Sequence, residues 1–353
     1  MVMSRLHDVI LQSALERGGG QDLQSRPAPG GSYGTAAKEM PVWRGFCVGP
    51  YSIPRQTMNP VRPWRALLGA ASLCCAVASH AGVLERIASG GKLVVAYRDA
   101  ASPFAFKDAA GRPAGYAVEL CQRVAEAVRR KTGRKGMEIA YVPVDLGNRM
   151  EAITQGGADL ECGSSTNNAE RRQNVAFTIP HFITGTRLLV KASSPIERIE
   201  DMGGHKLVST RGTTALRAVQ QLNREHALQI NVIEAPDDQR AVEMVEKGEA
   251  DAFAMDDVLL YAFAAGRPDP KALKVVGKFV TAEALAIMLP KDDPEFKKVV
   301  DDEMRRLISS REIHPIYDRW FLQPAPPTNR ALNLPVSYLL REFWKYPSDQ
   351  VPF

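Results

Sequence analysis

A run of hydroxyl and basic side chains follows one short apolar segment of the chain. Residues 159–172 read Asp-Leu-Glu-Cys-Gly-Ser-Ser-Thr-Asn-Asn-Ala-Glu-Arg-Arg, which is typical of a strand that leads into a helix. At the end of that strand, Ser164 and Thr166 supply hydroxyls and Arg171 supplies a guanidinium, which binds a carboxylate through two parallel hydrogen bonds. The segment therefore indicates an anion site. A solvated Arg171 beside an ordinary Ser/Thr helix cap explains the same residues.

Two further strand ends carry polar groups. In Arg211-Gly-Thr-Thr-Ala215 a threonine caps the next helix, whose positive N-terminal end attracts anions, although most such threonines only cap. The apolar strand at 252–255 ends in Asp256 and Asp257. One of these carboxylates would suit an ammonium group if it faces a cleft, and we expect at least one of them to cap the following helix.

The elements that position these residues alternate along the chain. Strand patterns fall at 93–97, 139–144, 159–162, 187–190, 206–209, 231–233, 250–254, 274–276 and 284–288. Helical patterns fall at 116–131, 148–155, 215–226, 239–247, 258–265 and 294–310. Alternating strands and helices indicate an α/β fold, with mostly parallel sheets flanked by helices.

The pattern predicts two lobes because the βαβ alternation restarts at Lys206 and the strand at 284–288 is followed only by helices. We expect lobe 1 to comprise residues 82–186 plus 285–353 and lobe 2 to comprise 187–284, joined by two crossover strands. Ligands of open α/β sheets bind beyond the carboxyl ends of the strands, so a small molecule would lie between the lobes.

Composition narrows the class of protein. The 353 residues carry a net charge of +5, but residues 1–81 contain 8 basic and 4 acidic residues, so the remainder is nearly neutral. A nearly neutral globular part has no broad basic face for a phosphate backbone, and we expect no nucleic-acid partner. With 24% charged and 45% hydrophobic residues, the chain is neither disordered nor a polytopic membrane protein.

The N-terminal region predicts export. Residues 58–81 combine a basic start, an apolar run at 66–78 and a Ser-His-Ala exit, which is typical of a cleaved signal peptide; an ordinary buried helix is the alternative. Residues 1–57 precede the signal and are interpreted as a mis-annotated start or a disordered leader. The predicted location is the periplasm of a Gram-negative bacterium.

Few residues suggest redox or metal chemistry. After cleavage only Cys121 and Cys162 remain, either as a disulfide or as two buried thiols. The histidines His181, His205, His226 and His314 lack metal-ligand spacing, and we expect each at the surface or in a cap. No metal or cofactor is expected.

Several motifs together resemble a known family. They are Leu-Val-Val-Ala-Tyr-Arg at 93–98, Glu-Cys-Gly-Ser-Ser-Thr-Asn-Asn-Ala-Glu-Arg at 161–171, Gly-Thr-Thr at 212–214, Met-Asp-Asp at 255–257 and Lys-Asp-Asp-Pro-Glu-Phe-Lys-Lys at 291–298. In this order and spacing they resemble the periplasmic glutamate/aspartate-binding branch of the bacterial extracellular solute-binding proteins, family 3. The resemblance runs from about Gly82 to the region after Trp320.

This resemblance implies a type II periplasmic binding protein, a monomer that delivers an acidic amino acid to the membrane permease of an ABC importer. The implied ligand-binding residues fall into three groups. Ser164, Thr166, Arg171 and Thr214 would hold the α-carboxylate, Asp256 the α-ammonium, and Arg98 with Arg149 the side-chain carboxylate. A surface ion pair with Glu151 is the alternative role for Arg149.

Two departures from that branch affect the ligand. Leu146 replaces a serine three residues before Arg149, and Asp238 replaces a histidine near the side-chain pocket. An aspartate beside Arg98 and Arg149 would neutralise one of them and favour a neutral side chain, such as that of glutamine, or a longer ligand. If Asp238 instead turns outward as a helix cap, the acidic pocket stays intact. We favour an acidic amino acid because both arginines are present.

An enzyme on the same fold is the competing hypothesis. Some exported proteins of this fold resemble cyclohexadienyl dehydratases, which need arginines for two carboxylates and one acid, a role that Asp238 would fill. The arrangement of Ser164, Arg171, Thr214 and Asp256 instead suits an α-amino acid, and no residue stands out as a proton donor. The sequence therefore predicts a binding protein without catalytic residues.

Overall fold

The computed structural model describes residues 82–351. The predicted leader at 1–57 and signal peptide at 58–81 lie outside the described residues. The described part contains two five-stranded sheets, each covered by helices, and we call each sheet with its helices a lobe. No helix within 82–351 is long and apolar enough to cross a membrane.

Lobe 1 is built on a sheet in which four strands run in one direction. Its strands, in spatial order, are β5 (Ile139–Val144), β1 (Leu93–Arg98), β6 (Leu160–Cys162), β15 (Met288–Pro290) and β7 (Val175–Phe177). Only β15 runs antiparallel to its neighbours. The flanking helices are α1 (Val83–Ala88), α2 (Tyr116–Thr132), α3 (Arg149–Thr154), α7 (Pro294–Ser309) and α8 (Ile313–Phe321). The strands are apolar on both faces because helices cover both.

Lobe 2 repeats this plan. Its sheet has the order β11 (Asn231–Ala235), β10 (Lys206–Thr210), β12 (Ala252–Asp256), β9 (Thr186–Lys191) and β13 (Leu273–Val276). The strand β9 runs against its neighbours. Helices α4 (Thr214–Glu225), α5 (Asp238–Lys247) and α6 (Asp257–Ala265) cover it. Both sheets are therefore mostly parallel, as the alternating pattern predicts.

The lobes are joined by an antiparallel pair of short strands, β8 (Phe182–Thr184) and β14 (Glu283–Leu285). The single strand predicted at 284–288 is wrong, because the chain leaves β14 at Leu285 and pairs again as β15 from Met288. The strands β7 and β8, which are only three residues long, are absent from the sequence prediction because a short segment carries no resolvable period. A small hairpin sheet of β2 (Ala100–Ala101), β3 (Ala105–Lys107) and β4 (Pro113–Ala114) lies before α2.

The C-terminal segment touches both lobes and the crossover. Arg330 donates to the backbone oxygens of Ala265 and Arg267 at 2.7 and 3.1 Å, at the end of α6 in lobe 2. The helix α9 (Tyr338–Lys345) returns to the crossover, where the Trp344 indole donates to the Pro180 oxygen at 3.3 Å. The segment therefore forms a third connection between the lobes.

Two side-chain questions that the sequence raised are answered in lobe 1. Cys121 of α2 and Cys162 of β6 form a disulfide. The expectation that His181 lies at the surface or in a cap is wrong, because its side chain is fully buried beside the rings of Phe104 and Tyr116. Burial lowers the pKa of His181 to about 3, so the imidazole is neutral at physiological pH.

Candidate ligand-binding cleft

The candidate site residues lie at the carboxyl ends of parallel strands in both sheets. In lobe 1 these are Arg98 at the end of β1, Arg149 after β5, and Ser164, Thr166 and Arg171 after β6; in lobe 2 they are Thr214 after β10, Asp238 after β11 and Asp256 at the end of β12. This edge of an open α/β sheet is the usual place for a ligand. All of these side chains except that of Thr214 are at least nine-tenths buried.

Local capping explains why the lobe 2 residues face inward. The side chain of Thr213 accepts from the backbone N–H of Leu216 and so caps α4. Asp237 caps α5 in the same way. Asp238, the next residue, is therefore free of that role and is buried, contrary to the outward cap that the sequence left open. Asp256 precedes α6 and makes no side-chain capping bond.

Arg98 and Asp238 form an ion pair between the lobes. The Nη2 of Arg98 donates to the Oδ2 of Asp238 at 2.8 Å, and both side chains are buried. The Nη1 of Arg98 also donates to the Ser164 hydroxyl at 3.2 Å. The second carboxylate oxygen of Asp238 is buried and has no hydrogen-bond partner among residues 82–351. Ser164 therefore accepts a hydrogen bond from Arg98, and Asp238 neutralises the guanidinium of Arg98.

Arg149 is buried close to a carboxyl group that the sequence analysis did not single out. Its Nη1 donates to the Ser165 hydroxyl at 2.9 Å, and it lies inside the protein rather than on the surface with Glu151. Burial, and next the positive charge of Arg171, lower the pKa of Arg149 to about 9. Burial also raises the pKa of the Glu161 carboxyl, which the charge of Arg149 opposes.

Arg171 faces the space between the lobes. It begins a short 3-10 helix, and its Nη1 donates to the Thr166 backbone oxygen at 3.0 Å. Together with Arg149 it lines a cleft of about 210 Å³ that Gly212 and Arg217 of lobe 2 close from the other side. Two arginines therefore line one cavity, and a guanidinium binds a carboxylate through two parallel hydrogen bonds.

Glu283 is the second residue that sequence reasoning missed. Its Oε2 accepts from the hydroxyls of Thr166 and Thr214 at 2.7 and 2.6 Å, one from each lobe, and its Oε1 accepts from Thr281 at 2.8 Å. The available signal was a carboxylate at the start of an apolar strand, and Glu161 gives a related signal as a carboxylate between the two apolar residues of β6. A buried charge of this kind persists only where partners surround it.

Asp256 lies close to further carboxyl groups. Burial, and next the charges of Glu283, Asp257 and Asp238, raise the pKa of Asp256 well above its usual value, and Arg171 opposes the shift. A cation placed beside this carboxyl would offset both causes. The cleft therefore combines guanidinium groups with a buried carboxyl group that favours a cation, which is complementary to an amino acid.

The chain is similar to several known proteins. The model of the bacterial extracellular solute-binding proteins, family 3, matches residues 93–323. A glutamate/aspartate import solute-binding protein of Salmonella typhimurium is 36% identical over 267 residues, covering 76% of this chain and 88% of that protein. A cyclohexadienyl dehydratase of Pseudomonas aeruginosa is 26% identical over 265 residues, covering 72% and 92%. A crystal structure of an ancestral amino-acid-binding protein, a precursor of cyclohexadienyl dehydratase, matches with a TM-score of 0.58 and 25% identity, covering 68% and 99%.

Proposed function

Since the chain belongs to the bacterial extracellular solute-binding proteins, family 3, we propose that it captures an acidic amino acid, glutamate or aspartate, for an ABC importer. The observation that carries this proposal is the pair of buried guanidinium groups, Arg149 and Arg171, that line one cleft between the lobes. Glutamate and aspartate each carry two carboxylates and one ammonium. The Salmonella typhimurium relative is a glutamate/aspartate import solute-binding protein, which supports the same ligands.

The charges of the cleft support one orientation of the ligand. Arg171 receives the α-carboxylate, aided by backbone N–H groups at the start of α4. Asp256 pairs with the α-ammonium, which stabilises its ionised form against burial and the nearby carboxylates. Arg149 receives the side-chain carboxylate, and Arg98, which is already paired with Asp238, lies nearby.

In this scheme the hydroxyls of Thr166 and Thr214 each have a fixed hydrogen-bonding direction. Both donate their hydrogen to Glu283, so their oxygen lone pairs remain available to accept a hydrogen bond. An ammonium has three donors and no acceptor, which matches two such hydroxyls and Asp256. Glu283 thus acts through the threonines as a positioning residue for the ammonium.

Calorimetric titration with L-glutamate and L-aspartate tests the proposal on protein stripped of bound ligand. We expect a dissociation constant near the micromolar range, which corresponds to about −8 kcal/mol. The Arg171→Ala variant should lose measurable binding, and Arg172→Ala, the neighbour in the same 3-10 helix, should retain it. The proposal fails if neither acidic amino acid binds the wild-type protein.

The remaining parts of the proposal concern place and partners. A binding protein that serves an importer works outside the cytoplasm, and the basic and apolar pattern at 58–81 supports export to the periplasm. The partner is then the membrane permease of an ABC importer, and we propose a monomer that presents its closed lobes to that permease.

The dehydratase relative raises the question of catalysis, which we answer in the negative. That relative is 26% identical, against 36% for the importer protein. The raised pKa of Asp256 makes it a candidate proton donor, but an ammonium beside it would ionise the carboxyl and remove that role. Incubation with a cyclohexadienyl dicarboxylate, followed by its absorbance, should show no turnover above buffer.

A further inference from the structure

The side-chain end of the cleft is not equipped for a carboxylate alone. Arg98 is already paired with Asp238 at 2.8 Å, so its charge is compensated within the protein. Arg149 donates to Ser165, and its remaining N–H groups are available for a ligand oxygen. Arg149 forms no ion pair among residues 82–351, although the Glu161 carboxyl lies near it, so its guanidinium is the one available to the ligand side chain.

Asp238 presents a second feature at the same end. Its Oδ2 accepts from Arg98, and its Oδ1 is buried without a hydrogen-bond partner in the part of the chain that the structure describes. The side chain of Asp238 is 1% exposed. A buried acceptor without a partner costs free energy, so a ligand group that donates to it is favoured.

We infer that Asp238 extends the ligand range of the cleft from side-chain carboxylates to side-chain amides, so that glutamine competes with glutamate for the same site. This inference rests on the proposed function, since it assumes the same orientation of the ligand. An amide offers one acceptor to Arg149 and one donor to Asp238. A carboxylate offers two acceptors and no donor, so it leaves the Oδ1 of Asp238 without a partner.

Charge rather than shape makes this distinction. Glutamine and glutamate have nearly the same size, so walls that fit one ligand fit the other. A site that accepts a hydrogen bond from a ligand N–H binds a ligand without that N–H more weakly, because a buried acceptor of the protein is then left unpaired. Asp238 is therefore a specificity-determining residue that its neighbour Asp237 cannot replace, because Asp237 is exposed and caps α5.

Calorimetry with glutamine and with glutamate on the purified, ligand-stripped protein tests the inference. In the wild-type protein we expect the two dissociation constants to lie within about tenfold of each other, and glutamine to displace bound glutamate. In Asp238→Asn we expect glutamine to weaken and glutamate to tighten, each on the order of tenfold, so that the ratio changes by roughly a hundredfold. Asp237→Asn removes the same charge one residue away, keeps a good capping residue, and should leave the ratio unchanged.

Two results would overturn the inference while leaving an acidic-amino-acid site intact. One is a wild-type protein that binds glutamate but prefers it to glutamine by about a thousandfold or more, and this needs no variant. The other is an Asp238→Asn protein that stays folded by circular dichroism and keeps the wild-type ratio within about threefold. If neither ligand binds the wild-type protein, the proposed function fails and the inference falls with it.

Discussion

The two lobes bring opposite charges to the cleft that they share. Lobe 1 buries the guanidinium groups of Arg98, Arg149 and Arg171, and lobe 2 buries the carboxyl groups of Asp238 and Asp256. One pair, Arg98 with Asp238, already connects the lobes directly. Within residues 82–351, Arg149, Arg171 and Asp256 have no ion-pair partner on the opposite lobe. A zwitterionic ligand would supply the opposite charges.

The lobes also differ in how they are held together. Lobe 1 contains the disulfide and an aromatic cluster in which ring centroids, such as those of Tyr317 and Phe321, lie 4.5 Å apart. Residues 187–284 contain no cysteine, so no disulfide braces lobe 2. The lobe that carries the three arginines is therefore the more strongly braced lobe. This bracing holds their desolvated guanidinium groups in place.

Removing the ammonium partner from lobe 2 should have the largest effect. Asp256→Asn leaves a ligand ammonium buried without its ion pair, a loss of about 3–5 kcal/mol that weakens binding by roughly two to four orders of magnitude. Calorimetric titration measures the loss. The free energy of unfolding without ligand should not fall, because burial already disfavours the charge of Asp256. Asp251→Asn, exposed before the same strand, is the control; near-normal affinity in Asp256→Asn would contradict the assignment.

Removing the disulfide should weaken the braced lobe. The double variant Cys121→Ser and Cys162→Ser removes a cross-link between residues 41 positions apart, so the unfolded chain gains conformational freedom. We expect the free energy of unfolding to fall by about 3 kcal/mol. Urea unfolding measures the difference. A reductant should reproduce it in the wild-type protein and change nothing in the variant. Equal stabilities would show that lobe 1 does not depend on this bond.

The buried histidine should make lobe 1 sensitive to acid. The pKa of His181 is about 3 when folded and 6.5 when unfolded, so the unfolded state binds more protons between these values. Stability is therefore lost as the pH falls through this window, by up to about 1.4 kcal/mol per pH unit. Denaturant unfolding at several pH values should show a shallower slope for His181→Phe than for the wild-type protein. The exposed control His226→Phe should keep the wild-type slope; a slope unchanged in His181→Phe would refute the assignment.

The smallest effect concerns a surface contact between the lobes. Arg217 of α4 pairs with Glu170 of lobe 1, and both side chains are largely exposed. Exposed pairs contribute about 0–1 kcal/mol, so Arg217→Ala should weaken ligand binding by less than about fivefold at low salt. The difference should vanish at molar salt, where such charges are screened. An affinity loss comparable to that of Arg171→Ala would mean that Arg217 contacts the ligand.

Much of the fold follows from local patterns. The helices α2, α4, α5 and α7 begin and end within a few residues of their predicted bounds, because each has an apolar stripe of helical period; α6 does so as a continuous apolar run between Asp257 and Gly266. The crossover was harder to predict: β8 and β14 have three residues each, and the tertiary pairing of Ile183 with Ala284 defines them. The helices α8 and α9 also went unpredicted.

The sequence by itself determined which polar residues stand at strand ends, since a strand followed by a cap or a hydroxyl-rich turn is a local pattern. It therefore placed Arg171, Thr214 and Asp256 near a cleft edge. The tertiary structure alone decided which charges meet. Arg98 and Asp238 are 140 residues apart and pair only because two sheets face each other, and the same packing buries Glu161 and Glu283. Burial and partnership depend on contacts between distant segments, which no local pattern contains.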